Sequence, residues 1–239
     1  MSEPSRRADG GTARRPTGAG DDSERRHLER NRRVWDRWSD HYRLSESDFE
    51  PMREDAMDRL GLERGDAVLD VGCGPGVNFD RLRELVGPEG RVVGVDYSPG
   101  MVESARKRVA DRGWENVAVV RADAASVGLD SESFDGAIAS LSMGVMPDAR
   151  ATAEHVHALL RPGSRFVVFG LRPVPSGPLR VVNPLLSRCL RWVANWNPDN
   201  DVPGALRAAF DGVDVARTYG AGTAYTAVAA KAGAPDRSG

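Results

Sequence analysis

The stretch AVLDVGCGPGVNF, residues 67–79, decides the fold. Four apolar or small residues, at 67–69 and 71, carry Asp70 into a turn with glycines at 72, 74 and 76. An apolar run that ends in such a turn predicts a buried strand over 67–71 followed by a helix over about 77–86. Glycines lack Cβ atoms, so a ligand can approach the backbone amides of the turn closely. The N-terminus of the following helix favours negative charge. A dinucleotide-binding turn has the spacing G-x-G-x-x-G, which would put its third glycine at position 77. Position 77 is Val77, and Pro75 stiffens the loop, so the spacing turns the reading away from a dinucleotide.

Outward from this turn the chain alternates. Strands are expected over 91–95, 117–121, 134–139 and 165–169, with helices between them. Ser98 and Pro99 open one helix and Gly113 stops it. Another covers 151–160, and Arg161-Pro162-Gly163 turns into the fifth strand. Strands alternating with helices of this length predict an α/β fold with a mostly parallel sheet and helices on both faces. The alternation breaks at 171–202. This segment holds a helix whose N-cap is expected at Asn183, with Pro184 first and Asn197-Pro198 as its stop. Leu185, Leu186, Cys189, Leu190, Val193 and Trp196 share one face, with Arg188 and Arg191 on the other. Two strands, 213–218 and 224–230, close the chain as a hairpin around Tyr219–Gly222.

At the other end, residues 1–22 contain almost nothing apolar and are expected to be disordered. Residues 23–60 form a helical cap. Leu28, Val34, Trp35, Trp38 and Tyr42 mark one helical face, and a second helix covers 49–60. The domain proper is 61–239, with 171–202 as a lid-like insert.

Composition sets the outer limits. In 239 residues, 33 basic and 35 acidic side chains leave a formal charge of −2, so bulk charge does not point to nucleic acid. Only two cysteines occur, Cys73 and Cys189, with no metal-ligand spacing, and no metal is expected. No apolar run is long enough to span a membrane, and no secretory segment is evident. A cytoplasmic location is expected.

Asp96 ends RVVGVD about 20 residues beyond the glycines, where a strand-tip acid can accept from both hydroxyls of a ribose. The alternative is an acid that caps the next helix, although Ser98 already supplies a cap. Asp123, in VRADAA, is placed to accept from an adenine amino group while the Ala124 amide donates to a ring nitrogen. As a lone acid it reads equally as a turn residue.

Together, VLDVGCGPG, VVGVDYSPGMV, RADAA, SFDGAIASLSM and LLRPGSRFVVF resemble the successive motifs of class I S-adenosylmethionine-dependent methyltransferases. The small-molecule group that includes quinone-biosynthesis and phospholipid-amine methyltransferases is most similar. The likeness covers about 60–170. It implies a Rossmann-like seven-stranded sheet with an antiparallel last strand, and S-adenosyl-L-methionine as cofactor. It implies that Asp70, Gly72, Cys73, Gly74 and Gly76 form the cofactor loop. Asp96 would bind the ribose, Tyr97 and Met101 would flank the adenine, and Asp123 and Ala124 would read its edge. Ser140 would lie near the methionine part. VWDRWSDHY resembles the helix that closes over the cofactor in that group.

The acceptor is less defined. The loop LSMGVMPD carries no acid or base before Asp148, where relatives often have a histidine or an aromatic pair. Met143 and Met146 are candidate acceptor contacts, with Tyr42. His41 and Tyr42 are the weak catalytic candidates, and no catalytic residue is assigned. His155 and His157 are expected at the surface or in packing. The 184–196 helix reads as a core-packing element, a lid over an apolar acceptor or a weak membrane contact. The leading expectation is methyl transfer to a small, hydrophobic or lipid-like acceptor. The alternative is a non-catalytic S-adenosylmethionine-binding regulatory or assembly protein of the same fold.

Overall fold

A computed structural model describes residues 49–194, 196, 197 and 200–233. Seven strands form one sheet in the order β3-β2-β1-β4-β5-β7-β6. They are β1 (Ala67–Val71), β2 (Arg91–Asp96), β3 (Val117–Arg121), β4 (Phe134–Ser140), β5 (Leu160–Leu171), β6 (Gly212–Tyr219) and β7 (Ala224–Ala230). β1 pairs in parallel with β2 and β4, and β4 with β5, whereas β7 is antiparallel to both β5 and β6. The expected sheet class, with its antiparallel last strand, is the one observed. β7 enters between β5 and β6 because the short hairpin around Gly220–Gly222 returns the chain beside β6.

All five residues of β1 are buried, as a central strand covered on both faces requires. Alternate residues point to opposite faces. Leu69, Ala137, Phe166 and Val168 join one apolar cluster. Val68, Ile138, Val167 and Phe169 join the other. The first cluster is closed by α4 (Ala149–Leu159) and α6 (Val202–Ala209), through Ala153, Val156 and Leu206. The second is closed by α1 (Glu50–Asp58), α2 (Phe79–Val86) and α3 (Pro99–Arg112), through Ala56, Leu82 and Ala105. Ser98 caps α3 as expected, its Oγ accepting from Met101 N at 3.2 Å.

Three local expectations change. α2 begins at Phe79 rather than 77, because Val77 and Asn78 belong to the turn. Arg161-Pro162-Gly163 is not a turn ahead of β5 but part of it, and the β4–β5 register shifts there between Phe134 and Gly136. Asn183 is not an N-cap. It is already helical, and its side chain holds the backbone of Val174 from both sides: Nδ2 donates to Val174 O at 3.0 Å and Oδ1 accepts from Val174 N at 2.9 Å. It therefore staples the start of the insert to α5 (Asn183–Ala194). The expected disordered tail, the 23–43 helix with His41 and Tyr42, and the Val193 side chain lie outside the described residues.

Candidate functional site

The strand order reverses at β1, between β2 on one side and β4 on the other. A crevice opens there at the carboxyl ends of the strands, where ligands bind in open α/β sheets. The crevice is a cavity of about 370 Å³.

The glycine turn forms its floor. Gly72, Gly74 and Gly76 have φ of +68°, +55° and +79°, the left-handed region that glycine enters without a Cβ penalty. Its amide donors are committed internally. Gly72 N and Cys73 N both donate to Val95 O, at 2.8 and 3.0 Å. Gly74 N donates to Asp96 Oδ2 at 2.9 Å, and Gly76 N to Cys73 O at 3.0 Å. These four amides do not present the donors that a pyrophosphate needs. The idea that a ligand meets bare amides here is corrected to one in which it meets a shaped surface.

The three glycines serve different ends. A Cβ on Gly72 would lie 2.5 Å from the Cβ of Ser142, whose Oγ donates to Val71 O at 2.6 Å. A Cβ on Gly76 would lie 2.5 Å from the Phe79 ring. A Cβ on Gly74 would meet nothing within 4 Å, on the cavity wall itself.

Two residues of the expected cofactor loop stand behind that wall rather than on it: Gly76 and Asp70. Asp70 is wholly buried, and both its oxygens accept from Asn78 Nδ2, at 3.2 and 3.1 Å. Burial raises its pKa to about 7, with Asn78 pulling down, the Asp96 charge pushing up and Arg53 pulling down. Asp70 shapes the loop from beneath through Asn78, which does line the cavity.

Cys73, Gly72, Gly74, Asp96, Tyr97, Met101, Asp123, Ala124, Ser140, Met143 and Met146 all line the cavity. Cys73 is buried, and its thiol is pushed well above its ordinary value by desolvation and by the charges of Asp96 and Asp70. Asp96 is tied at both oxygens to backbone amides, Oδ2 to Gly74 N and Oδ1 to Ser98 N at 2.9 Å. It is thus a strut between turn and helix as well as an acid at the wall, so the two readings of it are compatible. The two amides fix the plane of its carboxylate. Asp123 Oδ1 accepts from Ala125 N at 3.0 Å, the local turn bond expected of an aspartate in its place.

The opposite wall follows β4. Leu141 is a non-glycine residue at φ +58°, held by its amide to Phe169 O at 2.7 Å. Such a backbone costs on the order of 1–3 kcal/mol and persists where the surroundings impose it. The kink carries Ser142 under Gly72 and leads into the short helix Met143–Val145. Asn197 and Asn200 clamp the end of the insert to this loop. Asn197 N donates to Gly144 O at 2.9 Å, and Asn200 Nδ2 to Met146 O at 2.7 Å. Trp196 and Leu190 consequently close the apolar side of the cavity.

Sequence reading missed Phe49, Arg53 and Tyr225, all cavity residues. Arg53 is 6% exposed, and its Nε has no hydrogen-bond partner. The available signal is its place on the buried stripe of α1 with Ala56 and Met57, where an apolar residue belongs. Asn78 Oδ1 and Ser140 Oγ are also buried without partners on the same cavity. Tyr225 lies on β7 against Gly170, under the guanidinium of Arg172. Burial drives its phenol far above the usual value, with Arg172 pulling down and Asp201 pushing up, so it stays protonated.

His155 and His157 are elsewhere. The former bonds Val127 O at 2.9 Å and the latter packs edge-on against Phe210. No group of metal-ligating side chains occurs among the described residues.

Residues 68–163 match a family profile described as a methyltransferase domain. The chain is 38% identical over 139 residues to nocamycin O-methyltransferase of Saccharothrix syringae, which covers 56% of this chain and 50% of that protein. It is 30% identical over 175 residues to demethylmenaquinone methyltransferase of Geobacillus kaustophilus, covering 68% of this chain and 75% of that one. The chain thus spans half the length of the first of these relatives and three quarters of the second. Its fold is similar to a crystal structure of an S-adenosylmethionine-dependent methyltransferase from Aquifex aeolicus. The TM-score is 0.57 at 22% identity, over 74% of this chain and 87% of that one.

Proposed function

The chain belongs to the class I S-adenosylmethionine-dependent methyltransferases, and we propose that it transfers the methyl group of that cofactor to a small, largely apolar acceptor beneath the insert. The observation that carries this is the division of one cavity into two unlike ends. Asp96, Asp123, Arg53 and Asn78 supply a polar end, while Met143, Val145, Met146, Pro147, Leu190 and Trp196 supply an apolar one.

The residues present fit the cofactor. The unpartnered Arg53 Nε suits the carboxylate of its methionine part, and the unpartnered Asn78 Oδ1 and Ser140 Oγ suit its ammonium. Asp96, oriented by two amides, is the ribose acceptor in this reading. Asp123 and Ala124 take the adenine edge, between Tyr97 and Met101. A floor in which the amides of Gly72, Cys73, Gly74 and Gly76 are already satisfied suits a ligand with a cationic sulfonium better than one with a pyrophosphate.

When bound, the cofactor supplies a methyl group activated for in-line displacement. The chain then has to orient the acceptor, exclude water and leave the nucleophile unprotonated. Orientation falls to the apolar wall, which Asn197 and Asn200 hold against the 143–147 loop. Among the described residues, the apolar end holds no histidine, lysine or carboxylate. That suits an acceptor that needs no enzymic base, such as a phenolate, a carboxylate or a neutral amine. Tyr225, kept protonated and on the cavity lining, is in this reading the donor to an acceptor oxygen. The names of the relatives, nocamycin O-methyltransferase and demethylmenaquinone methyltransferase, agree with a small acceptor.

Calorimetry with S-adenosylhomocysteine, followed by methyl-transfer assays on aromatic hydroxyl, carboxyl and amine acceptors, tests the proposal. Binding with turnover on one class is expected. Failure to bind S-adenosylhomocysteine would overturn it. Binding without turnover on any class would favour the non-catalytic alternative.

A further inference from the structure

The insert carries a surface that neither the sheet nor the cavity explains. Leu179, Val181, Val182, Leu185 and Trp192 are 53%, 81%, 45%, 74% and 85% exposed. All five fall within the segment from Pro178 to Ala194. On α5, Leu185, Cys189 and Trp192 recur at helical spacing as one exposed stripe. Leu186 and Leu190 form the neighbouring stripe, turned towards the protein. Arg188 and Arg191 flank the exposed stripe on its other side. The apolar arc of the helix is therefore wider than the protein covers.

Its charge is one-sided. From Leu171 to Asn197 the sequence holds Arg172, Arg180, Arg188 and Arg191 and no acidic residue, in a chain of net charge −2. Arg172 is occupied by Gly222 O and the Tyr225 ring. Arg180, Arg188 and Arg191 are exposed, with no ion-pair partner among the described residues.

We infer that the face formed by Leu179–Val182 and α5 docks on an anionic lipid surface. Exposed tryptophan and aliphatic side chains enter the headgroup boundary while flanking arginines meet lipid phosphates. A second copy of the chain fits poorly, because a twofold contact would set like-charged arginine rows against each other. The chain's own residues 1–48 carry 11 arginines and 10 acids, so they bring no excess of negative charge to the face. No helix among the described residues is long and apolar enough to cross a membrane. The surface rests on its own residues and holds whatever the acceptor is. It does place Leu190, on the same helix and on the cavity wall, just beneath the lipid.

The test is sedimentation of the full chain with vesicles, either pure phosphatidylcholine or equal parts phosphatidylcholine and phosphatidylglycerol. Binding to the anionic vesicles is expected, weakening as salt screens the arginines. The double variant Arg188→Gln/Arg191→Gln should bind about thirtyfold more weakly, from the contribution of a basic residue near an anionic surface. Trp192→Ala should bind about tenfold more weakly. Both variants should keep the wild-type affinity for S-adenosylhomocysteine, which reports that the fold is intact. Equal binding to both vesicle types, or undiminished binding by the variants, would overturn the inference. A dimer in sedimentation velocity that the same substitutions dissociate would assign the face to a second copy.

Discussion

Arg53→Met tests the polar end of the cavity at its least expected member. The guanidinium is 6% exposed, on a wall it shares with Asn78 and Ser140, and its Nε lacks a partner. If it receives the carboxylate of the cofactor, the lost contact is a charge-assisted hydrogen bond in a site from which most water is excluded. Such a bond contributes about 1.5–3 kcal/mol, or roughly ten- to hundredfold in affinity. Two ligands isolate the effect. S-adenosylhomocysteine carries the carboxylate, and 5′-methylthioadenosine has the same nucleoside and sulfur without the amino-acid part. In calorimetry, Arg53→Met should weaken the first ligand by that factor and leave the second within twofold. The unliganded variant should be no less stable than the wild type, because methionine removes a buried donor that nothing satisfies. Equal losses for both ligands would mean that Arg53 merely shapes the site. An unchanged affinity for S-adenosylhomocysteine would refute the assignment altogether.

The glycines should separate shape from access. Gly72→Ala forces a Cβ to 2.5 Å from Ser142, so its unfolding free energy should fall by about 1–3 kcal/mol for overpacking, plus roughly 1–2 for the left-handed backbone. Gly74→Ala meets no atom and should bear only the backbone cost, yet lose affinity for S-adenosylhomocysteine; denaturant titration beside calorimetry reads both. Asp70 should make stability depend on pH. Its pKa, about 7 in the fold against 3.8 as a free side chain, means that stability is fully present below about pH 4 and falls as pH rises through 7. Asp70→Asn should abolish that fall, a few kcal/mol at most, and identical pH slopes in urea melts would count against the buried acid. Tyr225→Phe should keep the fold and the affinity for S-adenosylhomocysteine while slowing methyl transfer about two- to tenfold, the worth of one hydroxyl donor. A rate equal to that of the wild type would remove Tyr225 from the acceptor site.

Most of the sheet is legible because its signals are local. β1, β2 and β4 are short apolar runs, and a central strand is buried on both faces whatever its neighbours are. Ser98, Pro99 and Gly113 bound α3 through bonds within a few residues, so local rules suffice there. Asn183 fails those rules because its best partner is the backbone of Val174, outside the helix. Val77 and Asn78 fail them because the turn claims both residues before the helix can, one for the cavity wall and one for Asp70. For Asn183 and Asn78 a bond outside the helix overrides the local preference, and nothing within one helical turn announces it.

The site divides along the same line. Asp96, Asp123 and the glycines sit at strand tips, so the strand pattern alone brings them to one edge of the sheet. Arg53 and Tyr225 reach the cavity from opposite ends of the chain, one on a helix before the first strand and one on the last. Only the antiparallel entry of β7 beside β5 brings Tyr225 opposite Gly170. The apolar wall likewise depends on Asn197 and Asn200 finding carbonyls in the 143–147 loop, about 50 residues earlier. Apart from Arg53, the proposed cofactor end is therefore drawn from contiguous motifs that leave the protein little freedom. The acceptor end is assembled from dispersed positions whose chemistry can change without disturbing the sheet. That asymmetry is why the motifs from the 67–79 turn through Asp123 point to the donor of the methyl group, and why, in the proposed reading, its destination is to be sought at Tyr225, Leu190 and Trp196.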